Sequence, residues 1–342
     1  MKLYYFLFYL VLFIGVISAE ENSVINDQSL VKAGKIRAAI EFSTHSAVFF
    51  VARAKGWFVE AGLDVDDFRS YATGTTLAAT LARGQIDMAL ICLIPAVVAK
   101  ANGDVSFKIV SGAHKYGYGM AVNSQQIKNV TDMQKPGLRI ACPREGTPTD
   151  VLLQRFIRNY ELDETKIKAN IVRVPPFRIP AMLKSGAVVA GVMSEHWFSE
   201  AVKDENFSVL FTAEKLWPGM QGSVLMVTDD LIKNHPQAVQ AVVDIIRRAA
   251  DFIAANPAEA ADIISAQLAL SKPEEANLKI SENTMQFSRS VIQENFARMP
   301  CSADISKEDV QAAIDELVLL NYIKPFPVSE IFDDSFLTAI SE

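Results

Sequence analysis

The sequence predicts a two-lobed α/β protein, each lobe built on a mostly parallel sheet flanked by helices. Three observations predict this class. The chain has 342 residues, half of them hydrophobic, which is enough for two cores. From Lys35 onward, short apolar runs rich in β-branched residues alternate with helix-period segments, the pattern of βα units. Two helix-to-strand junctions also echo each other: Leu81-Ala82-Arg83-Gly84-Gln85-Ile86-Asp87-Met88-Ala89 and Leu183-Lys184-Ser185-Gly186-Ala187-Val188-Val189-Ala190-Gly191. Two lobes on one plan account for that repetition economically. With 16 Gly, 14 Pro and 21% charged residues, collagen-like and low-complexity classes are excluded. A net charge of −7 with no cluster of Lys or Arg excludes a nucleic-acid interface, which needs a dense basic face.

Taken in order, the chain begins with Lys2 and an apolar run from Leu3 to Ile17, followed by Ser18, Ala19 and an acidic stretch. Fifteen residues fall short of the roughly 20 that span a bilayer, so residues 1–19 read as a secretory signal peptide and 20–34 as a polar linker. The expected location is periplasmic or extracellular; an uncleaved N-terminal anchor is the alternative.

The first lobe is expected over 35–122 and again over 223–342, with the second lobe at 123–222. In the first, a strand at 35–40 leads through Ser43-Thr44-His45-Ser46 into a helix that ends at Gly56. A second strand at 63–68 ends in Tyr71-Ala72-Thr73-Gly74-Thr75-Thr76, before a helix buried through Leu77 and Leu81. Strands at 87–92, 107–111 and 118–122 follow, with Pro95 in the first turn of a helix, where its missing N–H costs nothing. The second lobe has strands at 138–142, 171–174, 188–193 and 209–212. Thr147-Pro148-Thr149-Asp150 supplies a cap, a first-turn proline and an acid for a helix start. A strand at 223–228 returns the chain to the first lobe. Helices opening at Pro236, at Asn256-Pro257-Ala258-Glu259 and at Ser306 have apolar faces explained by packing, so they are scaffold.

Little in the chain points to covalent chemistry. Cys92, Cys142 and Cys301 are too few and too far apart for a disulfide framework, and His45, His114, His196 and His235 lack metal-ligand spacing. There is no phosphate loop, nucleophile elbow or complete dinucleotide fingerprint. No metal, cofactor or catalytic residue is expected. Strand carboxyl ends of open α/β sheets do leave a crevice where helix N-termini present unpaired N–H groups. By position, Ser43, Thr44, His45, Tyr71, Gly74, Thr75, Thr76, Leu93 and Pro95 should line its first wall. Gly146, Thr147, Glu195, His196 and Trp197 should line the second. Arg144 and Lys115 are candidate partners for an anionic group, and Lys115–Tyr118 could be hinge rather than wall.

The segment Lys55-Gly56-Trp57-Phe58-Val59-Glu60-Ala61-Gly62-Leu63-Asp64-Val65 resembles the junction KGxFxxxGLxV. That junction marks the nitrate, sulfonate, taurine and thiamine-precursor binding proteins of ABC transporters. Thr73-Gly74, Leu81 to Ala89 and Ile94-Pro95-Ala96 continue the same pattern in the same order. The resemblance implies a type II periplasmic-binding-protein fold with a ligand cleft between lobes. It further implies capture, by a monomer, of a small anionic or heteroaromatic solute for a permease and its ATPase. Closure is expected about crossovers near Gly119–Asn123 and Gly222–Val227. Two departures are Val189, where the echo would repeat the acid of Asp87, and the missing lipid-anchor cysteine. An enzyme on the same fold, desulfinase-like or pyrimidine-synthase-like, and a periplasmic sensor module remain the alternatives.

Overall fold

Two five-stranded sheets organise the molecule. The computed structural model describes residues 35–103, 105–271, 273–274 and 288–338, so the expected signal peptide and linker lie outside the described residues. The elements of the first part are β1 (Ala38–Glu41), α1 (Ala47–Ala54), α2 (Trp57–Glu60), β2 (Arg69–Tyr71), α3 (Gly74–Leu81), β3 (Met88–Cys92), α4 (Leu93–Asn102) and β4 (Phe107–Lys115). The chain then crosses into β5 (Tyr118–Asn123), β6 (Ile140–Cys142), α5 (Pro148–Asn159), α6 (Glu164–Asn170), β7 (Ile171–Arg173), α7 (Ile179–Lys184), β8 (Ala190–Ser194), α8 (Glu195–Val202), β9 (Phe207–Thr212) and α9 (Ala213–Leu216). It returns through β10 (Gln221–Thr228) to α10 (Asp229–Asn234), α11 (Pro236–Ala255), α12 (Pro257–Leu270), α13 (Arg289–Arg298) and α14 (Lys307–Leu319).

The sheets have the orders β2-β1-β3-β10-β4 and β7-β6-β8-β5-β9. In each, three neighbouring strands pair in parallel and the fourth strand runs antiparallel to both its neighbours. That antiparallel strand is the one on which the chain arrives from the other sheet. β5 therefore belongs to the second sheet, although the sequence reading placed 118–122 at the end of the first lobe; its pattern identifies a strand but not its partner. The sheet-to-sheet passages are Tyr116–Gly117 and Trp217–Met220, whereas the stretches expected to flex, Gly119–Asn123 and Gly222–Val227, lie inside β5 and β10. Tyr116, Gly117 and Gly219 all take positive φ there. The Tyr116 amide donates to the Met220 carbonyl (3.0 Å), which ties the two passages together.

β3 is buried along its whole length and α1 packs Phe49 and Phe50 against the first sheet, as their apolar composition requires. The expected 63–68 strand is instead a packed loop with a single bridge at Asp64, and the strand starts at Arg69. Leu63 and Val65 are buried there without pairing along a ladder, so alternation reported burial rather than strand. At Thr147 the expected cap forms, its hydroxyl accepting from the Asp150 amide. Asn256 does not cap α12: its side-chain amide donates to the Phe252 carbonyl at the end of α11. The sequence reading passed over α13, whose weak apolar stripe gave little periodic signal.

The C-terminal helices bind the second lobe as well as the first. Glu316 of α14 is buried and takes Arg155 and Arg158 of α5, and the Tyr322 hydroxyl donates to Asp150 (2.7 Å). α13 reaches α8 through Arg298, which pairs with the buried Glu195 (2.6 Å). One apolar cluster runs from Leu77 and Ile91 through Tyr118 to Val151, Phe156 and Leu317, so the core is continuous between the lobes.

Candidate functional site

A cleft of about 100 Å³ opens between the carboxyl ends of β1 and β3 on one side and of β6 and β8 on the other. Four helix N-termini point toward it. Thr73 caps α3, accepting from the Thr76 amide (3.3 Å), and Thr147 caps α5; Cys92 and Ser194 precede α4 and α8. All four of these residues line the cleft. Such termini leave backbone N–H groups without intrahelical partners and carry a partial positive charge. The walls are Phe42, Pro95, Pro143, Pro176, Phe177 and Trp197, and no Lys or Arg is among the lining residues.

The floor is a tight polar cluster. Glu41 ends β1 and Cys92 ends β3, and because these strands are parallel neighbours both residues stand at the same edge of the sheet. Glu41 Oε1 accepts the Cys92 amide (2.7 Å), and the thiol lies 3.2 Å from Oε2. His45, in the 3-10 turn Thr44–Ser46, donates through Nε2 to the Gly117 carbonyl (3.0 Å), because a carbonyl can only accept. Its Nδ1 lone pair therefore faces the Cys92 sulfur at 3.4 Å. The Tyr118 hydroxyl is 2.7 Å from that sulfur. Behind His45, the His114 ring packs at a tilt of 47° with centroids 4.6 Å apart; it donates to the Lys115 carbonyl and accepts from the Ser223 hydroxyl at 3.0 Å. Gly74 leaves room for the floor: a Cβ there would crowd the Glu41 carboxyl and lie 2.8 Å from the Pro95 ring.

Burial governs the protonation states. It raises the Glu41 carboxyl, with the Cys92 amide and thiol opposing, and it raises the Cys92 thiol, reinforced by Glu41. The same cause lowers His45 to about 4, with the Gly117 carbonyl opposing, and lowers His114 and His196. At neutral pH the His45 and His114 imidazoles are thus uncharged, and the Cys92 thiol is not an ionised nucleophile.

Acid sensitivity follows from the histidines. A folded-state pKa depressed below the unfolded value near 6.5 contributes stability that is complete above about pH 6.5 and is lost as pH falls toward 4. For His45 alone that shift amounts to about 3 kcal/mol, using roughly 1.4 kcal/mol per unit. Glu41 acts in the opposite sense, its contribution being lost as pH rises above its unfolded value. Urea midpoints of chelator-treated protein are therefore expected to drop on going from neutral pH to about pH 4.5. A flat profile would show that the imidazoles are charged in the fold.

Of the residues expected on the walls, the structure brings Ser43, His45, Gly74, Thr75, Pro95, Thr147, His196 and Trp197 to the cleft. Six others do not line it. Thr44 is buried behind His45, receiving Asn295 Nδ2 (3.3 Å); Tyr71 and Leu93 are in the core; Thr76 is spent on the α3 cap. The Gly146 amide serves Asp150, and Glu195 pairs with Arg298. The candidate cations are also elsewhere: Lys115 pairs with Asp309 (2.8 Å), and the Arg144 carbonyl accepts the Thr147 hydroxyl. Position relative to a strand end is correct to about one residue, and the helical turn then decides which neighbour faces inward.

The sequence reading missed Glu41, Phe42, Thr73, Cys92, Tyr118, Pro176, Phe177 and Ser194. A signal existed for three of them. Glu41 is an acid closing an apolar strand, and Pro175-Pro176-Phe177 follows the carboxyl end of β7.

A family model described as the NMT1-like family matches residues 34–269. Proteins of Brucella abortus (strain 2308) and Brucella suis biovar 1 (strain 1330), each named as a binding protein, are 26% identical over 245 residues, covering 68% of this chain and 70% of theirs. Among solved structures, the alkanesulfonate-binding protein SsuA from Xanthomonas axonopodis pv. citri bound to MOPS is similar at 18% identity and TM-score 0.71, covering 88% of this chain and 98% of that one. The ligand-binding component of an ABC-type import system from Staphylococcus aureus with zinc bound gives 16% identity and TM-score 0.69, covering 88% and 97%. The periplasmic nitrate-binding protein NrtA from Synechocystis PCC 6803 gives 15% and 0.66, covering 90% and 88%. These likenesses establish the fold as that of periplasmic binding proteins, in agreement with the two mixed sheets.

Proposed function

The chain belongs to the NMT1-like family, and from that membership we propose that it is the extracytoplasmic solute-binding component of an ABC importer, working as a monomer with a permease and an ATPase. One observation carries the reading: a cleft between two sheets on which four helix N-termini converge, walled by proline and aromatic side chains. Helix N-termini recognise hydrogen-bond acceptors and negative charge without a basic side chain. Apolar walls reward a solute with a flat or aliphatic body. A bare nitrate or bicarbonate would leave Phe42, Phe177 and Trp197 unused. The favoured solute therefore has an acceptor-bearing head on an apolar body, as an organic sulfonate or a pyrimidine-type heteroaromatic has. The alkanesulfonate-binding relative supports the first of these.

Capture then works by closure about the passages Tyr116–Gly117 and Trp217–Met220. His45 bonds to Gly117 in one of these passages and Thr44 lies 3.5 Å from His196 Nδ1 of α8, polar links between the two sheets' elements that support closure. The protonated state of the Cys92 thiol supports binding without turnover. The adjacency of Cys92 and His45 is the one observation favouring chemistry on the bound solute.

A melting-temperature screen of organic sulfonates, pyrimidines, nitrate and bicarbonate tests this reading. A true ligand at 100 times its Kd should add about 2.7 kcal/mol. Trp197→Ala should weaken that ligand by about tenfold through loss of the ring contact. No response to any of these classes would sink the proposal, and mass-spectrometric detection of altered solute would replace it with an enzyme.

A further inference from the structure

We propose that the floor of the cleft is a metal site for one zinc-class divalent cation, with Glu41, His45 and Cys92 as three protein ligands and a fourth position open to the cleft. This goes beyond solute capture and does not depend on which solute is carried. One donor atom from each residue lies within 4.8 Å of the other two. The Cys92 sulfur is 3.2 Å from Glu41 Oε2 and 3.4 Å from His45 Nδ1. Neighbouring donors around tetrahedral zinc stand roughly 3.5 Å apart, as metal–sulfur bonds of about 2.3 Å and metal–nitrogen or metal–oxygen bonds of about 2.0–2.1 Å require. The two donor pairs that include the sulfur are therefore already at ligand spacing, and the Glu41–His45 pair lies within 4.8 Å.

The surroundings match as well. A zinc-binding imidazole normally gives its other N–H to a carbonyl or carboxylate, which fixes the tautomer and aims the lone pair. The Nε2–H of His45 is committed in that way to the Gly117 carbonyl, leaving Nδ1 facing the sulfur. The Tyr118 hydroxyl can donate to a thiolate at 2.7 Å, and Cys92 stands at the N-terminus of the ten-residue α4, where negative charge is favoured. The Glu41 side chain has only the Cys92 amide and thiol as hydrogen-bond partners among the described residues, so no basic side chain neutralises it. A bound cation would supply that charge, displacing the thiol proton to solvent. A thiolate, imidazole and carboxylate set selects zinc over magnesium or calcium. All three ligands line the cleft, so an acceptor group on a solute could complete the coordination.

The test uses the full chain, stripped with chelator and dialysed against zinc alone, then against cobalt(II). One zinc per chain and a thiolate-to-cobalt charge-transfer band are expected. Cys92→Ser and His45→Ala should each weaken zinc by on the order of 100-fold or more. Cys142→Ser and Cys301→Ser, which alter thiols outside the cleft, should leave it unchanged. Far-UV circular dichroism of each stripped variant separates loss of metal from loss of fold; for a variant that unfolds, Glu41→Gln is read in its place, with the same loss expected. Failure of the wild type to bind zinc, or full retention of zinc and the charge-transfer band in Cys92→Ser, would overturn the site. Solute-induced melting shifts in stripped protein report separately on solute capture.

Discussion

Gly222→Ala is expected to destabilise the fold by about 3 kcal/mol, the upper end of the range for forcing extra volume into a packed core. A Cβ at Gly222 would sit 2.2 Å from the His114 ring and 2.8 Å from the Tyr116 carbonyl. The ring has no retreat, being buried, bonded on both nitrogens to Lys115 and Ser223, and packed against the His45 ring. The carbonyl belongs to a passage between lobes that already holds a positive φ. Displacing His114 would also move His45, so the loss should extend to the cleft floor. Urea unfolding measures the stability, and Gly219→Ala is the contrasting variant: its Cβ meets nothing within 4 Å, and the cost there is backbone strain from a φ of +82°. An unchanged midpoint in Gly222→Ala would mean that the β4–β10 pairing at His114 is looser than described.

Arg298→Ala should cost about 3–5 kcal/mol at pH 8, because it leaves Glu195 fully buried without its cation. The guanidinium also donates to Ser199 and lies over the Phe198 ring, so α13 loses part of its attachment to α8 in the same step. The cost has a predictable pH dependence. Burial already raises the Glu195 carboxyl, with Arg298 opposing; without the arginine it rises further, so its neutral form is favoured and the penalty shrinks as pH falls toward 5. Arg298→Ala combined with Glu195→Gln should recover part of the loss at pH 8. Equal losses at both pH values would place the cost in helix packing instead of in the carboxylate.

Much of the architecture was legible in the chain. Short apolar runs located nine of the ten strands among the described residues to within a few positions, and Thr147-Pro148 and Ser306–Asp309 marked their helix starts by capping chemistry. The strand at Arg69–Tyr71 was missed because burial at Leu63 and Val65 imitates strand alternation. Within the cleft, loops after strands one, two and three were found, yet Thr44, Thr76 and Glu195 proved to be supports instead of lining. A strand-end rule locates a loop; the turn of the following helix picks which side chain looks inward.

Local physics, read from the residues in order, settled the α/β class, the repeated plan and the helix starts, because propensity, period and caps act over a few residues. Which sheet receives β5, and the meeting of Glu41, His45 and Cys92 across 51 positions of chain, emerged only from the fold. Strand pairing is a choice among distant partners, governed by burial and hydrogen bonding of the whole sheet, and no spacing within the chain encodes it.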